Sequence, residues 1–336
     1  MSEAIAERLR LDLDQVTGQI TSALRHQVGE VLRRSGIVVA MSGGVDSSVC
    51  AALAAAAVGA RRVLGLSLPE RESDAESLAL AREWATQLGI EFLVEDISGT
   101  LDACGCYARR DAAIRRLVPA YGEGWRCKLV LEGGGLDSGR LSICYVAVQP
   151  PGGDVRKVRL PAREFREIVA ATNFKQRVRK MLEYHHADRL HFAVLGTPNR
   201  LEYDQGFFVK GGDGLADVKP IAHLYKSQVY QLAEHLGVPP AVRSRPPTTD
   251  TYSLPQTQEE FFFSLPLTQL DLVLQAHNDG RSAAEAAIDL GMQREHVERV
   301  YRDIERKRNA TRALHLPPLL VDRVPEVEDH QSGGAG

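Results

Sequence analysis

Gly36-Ile37-Val38-Val39-Ala40-Met41, followed by Ser42-Gly43-Gly44-Val45-Asp46-Ser47-Ser48 and then by Val49-Cys50-Ala51-Ala52-Leu53-Ala54-Ala55-Ala56-Ala57-Val58, spells strand, glycine turn and helix. An apolar run of this length, bounded by turn residues, suits a buried parallel strand, and the Ala-rich continuation suits a helix packed closely on it. The backbone N–H groups of such a turn, together with the helix N-terminus, attract an anion. The two glycines let the main chain approach the ligand, and the hydroxyls of Ser42, Ser47 and Ser48 can donate to phosphate oxygens. Asp46 would repel a phosphate unless a divalent cation lay between them, so its presence implies Mg2+. The usual P-loop ending in Gly-Lys-Ser/Thr is absent.

Outward from this stretch the alternation continues. Apolar residues at Ile5, Leu9, Leu11, Val16, Ile20, Leu24, Val28 and Leu32 recur at helical intervals and predict a helix over 3–34. Downstream come a strand over 62–68, a helix over 73–88 stopped by Gly89, and a strand over 90–97. Strands alternating with helices predict a parallel sheet covered on both faces. Between 101 and 160 the alternation breaks, and strand-like runs at 126–131, 141–148 and 155–160 predict an inserted antiparallel meander. The α/β pattern resumes with a helix over 164–185, a strand over 192–195 and a helix over 225–236 ended by Gly237 and Pro239. Further helices are expected over 256–274, 283–290 and 294–312, and a disordered polar tail over 324–336. The expected organisation is therefore an α/β unit over 1–250 carrying the meander at about 101–160, and a helical extension over 251–323.

At 336 residues with 44% hydrophobic and 25% charged side chains, the composition is that of an ordinary globular protein with an ample core. A net charge of -3 supplies no basic field for nucleic acid, and no apolar run is long enough to span a bilayer, so a cytoplasmic location is expected. The cysteines number five, an odd count, and Cys104-Gly105-Cys106 is too tight for the usual zinc spacing; reduced thiols are expected.

Several segments carry a resemblance. Ser42-Gly43-Gly44-Val45-Asp46-Ser47-Ser48 resembles the pyrophosphate-binding loop of the N-type ATP pyrophosphatases. Asn173-Phe174-Lys175-Gln176-Arg177-Val178-Arg179, the run from Leu195-Gly196-Thr197 to Glu202, and Gly206-Phe207-Phe208-Val209-Lys210-Gly211-Gly212-Asp213-Gly214 resemble segments of the NAD synthetases, in that family's order. The resemblance implies a Rossmann-like adenine nucleotide alpha hydrolase fold. It also implies amidation of deamido-NAD by ATP and ammonia through an adenylated carboxylate, releasing NAD, AMP and pyrophosphate. By the same resemblance, the loop residues Ser42 to Ser48 contact ATP together with Thr197, Lys226 and Thr248, while Asp46 and Glu202 hold Mg2+. Arg177, Lys210 and Asp217 are implied to contact deamido-NAD, with Asp46 and Lys210 serving catalysis. The family's His-Lys pair near the C-terminus is matched here by Arg306-Lys307, which keeps charge and loses the imidazole. No glutaminase segment accompanies these motifs, so ammonia is expected to be free or delivered by a separate glutaminase subunit. A homodimer is implied, with no nucleic acid or membrane partner.

Spacing alone leaves alternatives beside each assignment. Arg177 and Arg179, with Lys175 and Lys180, fit a solvated basic face. Glu202 fits an ion pair with Arg200, Lys226 a surface position on an amphipathic helix, and Thr248 a cap. The meander is longer than the connection expected in a NAD synthetase at this point. It is thus a candidate to reshape the acid pocket, and a same-fold amide ligase acting on a different carboxylic acid is the alternative function.

Overall fold

A four-stranded parallel sheet is ordered β3 (Glu91–Val94), β2 (Val63–Ser67), β1 (Ile37–Ala40), β7 (Ala193–Leu195). The computed structural model describes residues 8–132, 143–246, 251–255, 265–322 and 324–325. Along β1, successive side chains point to opposite faces, so Ile37 and Val39 join one buried layer and Val38 the other. The first layer holds α1 (Leu13–His26), α2 (Val45–Val58), α3 (Ala75–Leu88) and α8 (Lys226–His235). The second holds α4 (Ser98–Ala103), α5 (Cys106–Arg115) and the long α6 (Ala162–Leu190). This is the α/β layering expected from the alternation, with β1, β2 and β7 buried on both sides and the edge strand β3 partly exposed.

The first helix is shorter than its apolar periodicity. Asp12 accepts from the Gln15 N–H and caps α1 at its N-terminus, and a π turn over Gln27–Val31 closes the other end. Leu9 and Leu11 precede the helix, where Gln231 hydrogen-bonds the backbone of both residues. The antiparallel strands are present as β4 (Arg126–Glu132), β5 (Ile143–Gln149) and β6 (Arg156–Arg159), paired in that order. Their onset differs from the expected 101, because Ser98–Ala103 and Cys106–Arg115 form α4 and α5, the latter rich in the good helix formers Ala and Arg. Cys127, Leu129, Val146 and Val148 of this sheet pack on Ala113 and Ile114 of α5 and Ile168 of α6. The sheet therefore has a core of its own, shared with the main unit.

The helical C-terminal region follows expectation. After α7 (Arg200–Gln205), α8 and the short α9 (Pro240–Arg243) come α10 (Leu267–Asn278), α11 (Ala283–Leu290) and α12 (Arg294–His315). These last three pack around Leu270, Val273, Val297 and Ile304, and onto Leu201 of α7. The first part of the helix expected over 256–274, the greater part of the 324–336 tail, and Thr248 lie outside the described residues. Among the described residues no helix is long and apolar enough to cross a membrane.

Candidate active site

The chain moves from β1 to β2 and β3 on one side, then returns to the other side of β1 at β7. In such sheets ligands bind outside the carboxyl ends of the strands where the order reverses. Ser42 follows β1 and Thr197 follows β7, and both line an open cleft of about 160 Å³. Gly43, Gly44, Val45, Asp46, Ser47, Glu202 and Lys226 line it as well. Small-molecule pockets run to about 300–1,000 Å³, so this cleft suits the charged end of a nucleotide with the remainder extending along the open side.

The loop's shape depends on Gly43, whose φ is +75° and whose missing Cβ would lie 2.3 Å from the Ser77 carbonyl oxygen. Gly44 is the N-cap of α2 and contributes no side-chain capping bond, which leaves first-turn N–H groups for a ligand. Ser47 Oγ donates to the Gly44 carbonyl at 3.1 Å and accepts from the Ser42 N–H at 3.3 Å, bracing the turn. Ser48 instead points into the core, with its Oγ lacking a hydrogen-bond partner, and does not line the cleft.

Lys226 opens α8 and is buried, and its Nζ donates to Asp46 Oδ2. Asn199 Nδ2 donates to Asp46 Oδ1 at 3.1 Å. The same asparagine caps α7: its Oδ1 accepts from the N–H groups of Leu201 and Glu202, while Glu202 Oε2 accepts from the Asn199 N–H at 3.1 Å. This capping box fixes the Glu202 carboxylate at the cleft. The alternative partner, Arg200, instead approaches Asp204 at 3.6 Å. Burial disfavours the charge on Lys226, yet Asp46 and Glu202 hold its pKa above the ordinary lysine value, so the ammonium persists. Below the loop, burial followed by the fields of Asp46 and Glu202 pushes Cys50 well up, so this thiol stays protonated. Asp271 accepts from the backbone N–H groups of Lys226 and Ser227 at 3.2 and 2.7 Å, anchoring the start of α8, and burial pushes its pKa up to about 6.

Among the described residues no group of three or more His, Cys, Asp or Glu side chains converges as a metal site. Asp46 and Glu202 are, however, two hard oxygen donors on one cleft, and Mg2+ is commonly held by one or two carboxylates with phosphate oxygens and water. The donor set therefore fits that ion.

The residues expected to contact the acid substrate lie elsewhere. Arg177 is exposed and its Nε donates to the Lys210 carbonyl at 3.3 Å; Lys210 Nζ donates to the carbonyls of Ala313 and Leu316 at 2.8 and 3.4 Å. Asp217 accepts from the Val194 N–H at 2.8 Å and the Tyr184 hydroxyl at 3.1 Å. Arg306 and Lys307 both pair with Asp303, at 2.6 and 2.8 Å. None of these lines the cleft. Nor is the basic run a solvated face: Lys175 and Lys180 are buried. Lys175 Nζ donates to Glu70, Glu72 and the Thr251 carbonyl at 2.8, 2.7 and 2.8 Å, and Lys180 donates to Glu183 at 2.6 Å.

Asn199, Asp271, Ser77, Tyr230 and Arg245 are functional candidates that the sequence did not single out. Asn199 was detectable, since Asn-x-x-Glu is a capping-box spacing. Ser77, Tyr230 and Arg245 reach the cleft, and Asp271 reaches the start of α8, only through the tertiary fold.

The sequence model of the NAD synthase family matches residues 16–116 and 154–312, passing over the stretch that holds β4 and β5. The chain is 56% identical over 319 residues to the NH3-dependent NAD+ synthetase of Rhizobium rhizogenes, covering 95% of this chain and 96% of that protein. The solved NMN synthetase of Francisella tularensis superposes with a TM-score of 0.61 at 22% identity, over 93% of this chain and 100% of that one. The NH3-dependent NAD synthetase of Campylobacter jejuni superposes with a TM-score of 0.60 at 19% identity, over 93% and 100% of the two chains. At these identities the two structures establish a shared fold.

Proposed function

This chain belongs to the NAD synthase family, and we infer that it is an ammonia-dependent NAD synthetase, joining ammonia to the nicotinic acid carboxylate of deamido-NAD with ATP as cosubstrate. The observation that carries this is the convergence of the Ser42–Ser47 loop, Thr197, Glu202 and Lys226 on one cleft at the point where the strand order reverses.

Ammonia cannot displace a carboxylate oxygen directly, because that oxygen is a poor leaving group. In the first step a carboxylate oxygen attacks the α-phosphorus of ATP, the bond to the β-phosphate oxygen breaks, and pyrophosphate leaves. Ammonia then adds to the activated carbonyl carbon, the bond to AMP breaks, and nitrogen gives up a proton. We assign the uncapped N-terminus of α2 and the loop N–H groups to the departing pyrophosphate, where they oppose its charge without reorganising. Asp46 and Glu202 would hold Mg2+, whose positive charge would offset that of the departing pyrophosphate. Lys226 keeps Asp46 in place, and Thr197 lines the cleft just beyond the end of β7. Thr248 is assigned to ATP by resemblance. Arg177, Lys210, Asp217, Arg306 and Lys307 are assigned to deamido-NAD, which places the acid on the side of the Gly206–Gly214 loop and the end of α12. We further propose a homodimer working in the cytoplasm on free ammonia or on ammonia from a separate glutaminase subunit.

The test is turnover of deamido-NAD, ATP, Mg2+ and ammonium, with AMP and NAD followed together. Equal formation of both supports the assignment, and AMP formation only with another acid overturns it. Asp46→Asn and Glu202→Gln are each expected to abolish pyrophosphate release with the fold intact.

A further inference from the structure

Arg245 lines the same cleft as the Ser42–Ser47 loop. Its Nη1 donates to Ser77 Oγ at 3.1 Å and its Nη2 to Asp74 Oδ2 at 2.6 Å, with Glu76 Oε2 at 3.9 Å. The side chains of Asp74 and Glu76 are 50% and 70% exposed, so water screens both contacts and they hold the guanidinium weakly. Ser77 in turn lies against the phosphate-type turn, since its carbonyl fills the space that a Cβ on Gly43 would need. One side chain thus separates Arg245 from the loop.

The charges on the cleft sharpen its role. Asp46 and Glu202 bring two negative charges, Lys226 and Arg245 two positive ones. Lys226 is buried and committed to Asp46, so it is not at liberty to follow an incoming anion. A polyphosphate entering this cleft meets Arg245 as the lining cation whose carboxylate partners are solvent-exposed. A guanidinium also presents a planar fork of N–H donors that matches phosphate oxygens.

We propose that Arg245 is a nucleotide-binding residue of this cleft, taking phosphate oxygens of ATP, and of the departing pyrophosphate, from the wall built by Ser77 and Asp74. The proposal rests on the ATP assignment above and deepens it by naming a residue that the sequence reading did not single out.

The experiment uses the full chain. Arg245→Gln is expected to raise KM for ATP about tenfold, the loss of roughly one charge-assisted hydrogen bond. KM for deamido-NAD should stay within about twofold. Arg245→Lys, which keeps the charge and loses the fork, should fall between the two. Calorimetric titration with ATP alone and with pyrophosphate alone should show the same tenfold weakening in Arg245→Gln. Asp74→Asn, which releases the guanidinium without removing it, should bind pyrophosphate at least as tightly as wild type.

Arg245→Gln binding both ligands within twofold of wild type, at an unchanged denaturation midpoint, overturns the proposal. So does weakened ATP binding with normal pyrophosphate binding, which would move Arg245 to the adenosine side. Weaker pyrophosphate binding in Asp74→Asn would make the contact a structural brace only and also overturns it. Because these titrations contain no acid, a wild type that binds ATP through Arg245 yet leaves deamido-NAD untouched refutes the substrate assignment and keeps this one. A wild type that binds neither ATP nor pyrophosphate refutes both.

Discussion

Replacing Lys226 with Met removes the ammonium that faces Asp46 and Glu202 while keeping an unbranched stem of similar length. The lysine side chain is 2% exposed and that of Asp46 18%. Deleting one partner of a fully buried pair costs roughly 3–5 kcal/mol; Asp46 keeps part of its water, so about 2–4 kcal/mol is expected here. The loss should appear in equilibrium urea denaturation without divalent cations, followed by the fluorescence of Trp84, whose Nε1 donates to the Ser48 carbonyl next to the loop. Its pH dependence is also set. The folded pKa of Lys226 is raised, so its contribution is fully present below the unfolded value of about 10.4 and is lost only as pH climbs through the folded one. The gap between wild type and Lys226→Met should therefore be flat from about pH 6 to 9. Added Mg2+ should narrow it, because a cation bound between two uncompensated carboxylates stabilises the folded state by mass action. A stability loss below about 1 kcal/mol, or a gap that changes across that neutral range, would refute the pairing as the dominant interaction at the base of the cleft.

Gly43→Ala places a side chain at a positive φ costing about 1–2 kcal/mol and forces the Ser77 carbonyl to move, so ATP affinity should fall more steeply than thermal stability; titration and melting on one preparation check this. Burial raises Asp271 to about 6, above an unfolded value of about 3.9, so its stabilising contribution is complete below pH ~4 and disappears as pH rises through about 6. Asp271→Asn should flatten that part of the wild-type stability profile, read from urea midpoints across the interval. Lys175→Met leaves Glu70 and Glu72 facing one another without their shared ammonium and should cost about 3–5 kcal/mol by denaturation, although Lys175 touches no part of the cleft.

The first strand, the glycine turn and α2 were legible because each rests on a local cause: an unbroken apolar run, a position that only glycine fills without strain, and an Ala-rich face that packs closely. The convergence of Asp46, Glu202 and Lys226 was legible only through resemblance, since Lys226 lies 180 residues from Asp46 in the chain. Local pattern failed where charge was buried. Lys175 in the Asn173–Arg179 run has the spacing of a solvated face, but its partners Glu70 and Glu72 stand 105 and 103 residues away. No periodicity encodes such a contact. Arg245 is the same case, reaching Ser77 and Asp74 across 168 and 171 residues. The onset of the meander failed for a different reason: 98–115 are short helices whose buried side is set by the sheet and α6 they pack on.

That same packing changes what the inserted sheet can be. A cover laid over a finished pocket could be deleted without harm to the ATP side, but this sheet shares its core with α5 and α6. It also holds the segment 251–255: the Cys127 N–H donates to Ser253 Oγ at 2.9 Å, and the Leu254 N–H donates to the Cys127 carbonyl at 3.1 Å. The Thr251 carbonyl of that segment accepts from Lys175, which also binds Glu70 and Glu72 in the connection leading from β2 to α3. Asp74 ends that connection and Ser77 lies in the first turn of α3, while Arg245 lies upstream of Thr251 in the other chain segment. Lys175 therefore links the β2–α3 connection to the segment 251–255, and β4 holds that segment. Excising 126–159 would expose the core that the sheet shares with α5 and α6, so a clean deletion of the sheet is not a probe of substrate specificity. Polar substitution at the exposed Lys157 or Arg159 of β6, which leaves Val146 and Val148 packed, isolates the sheet's outer surface from its structural role.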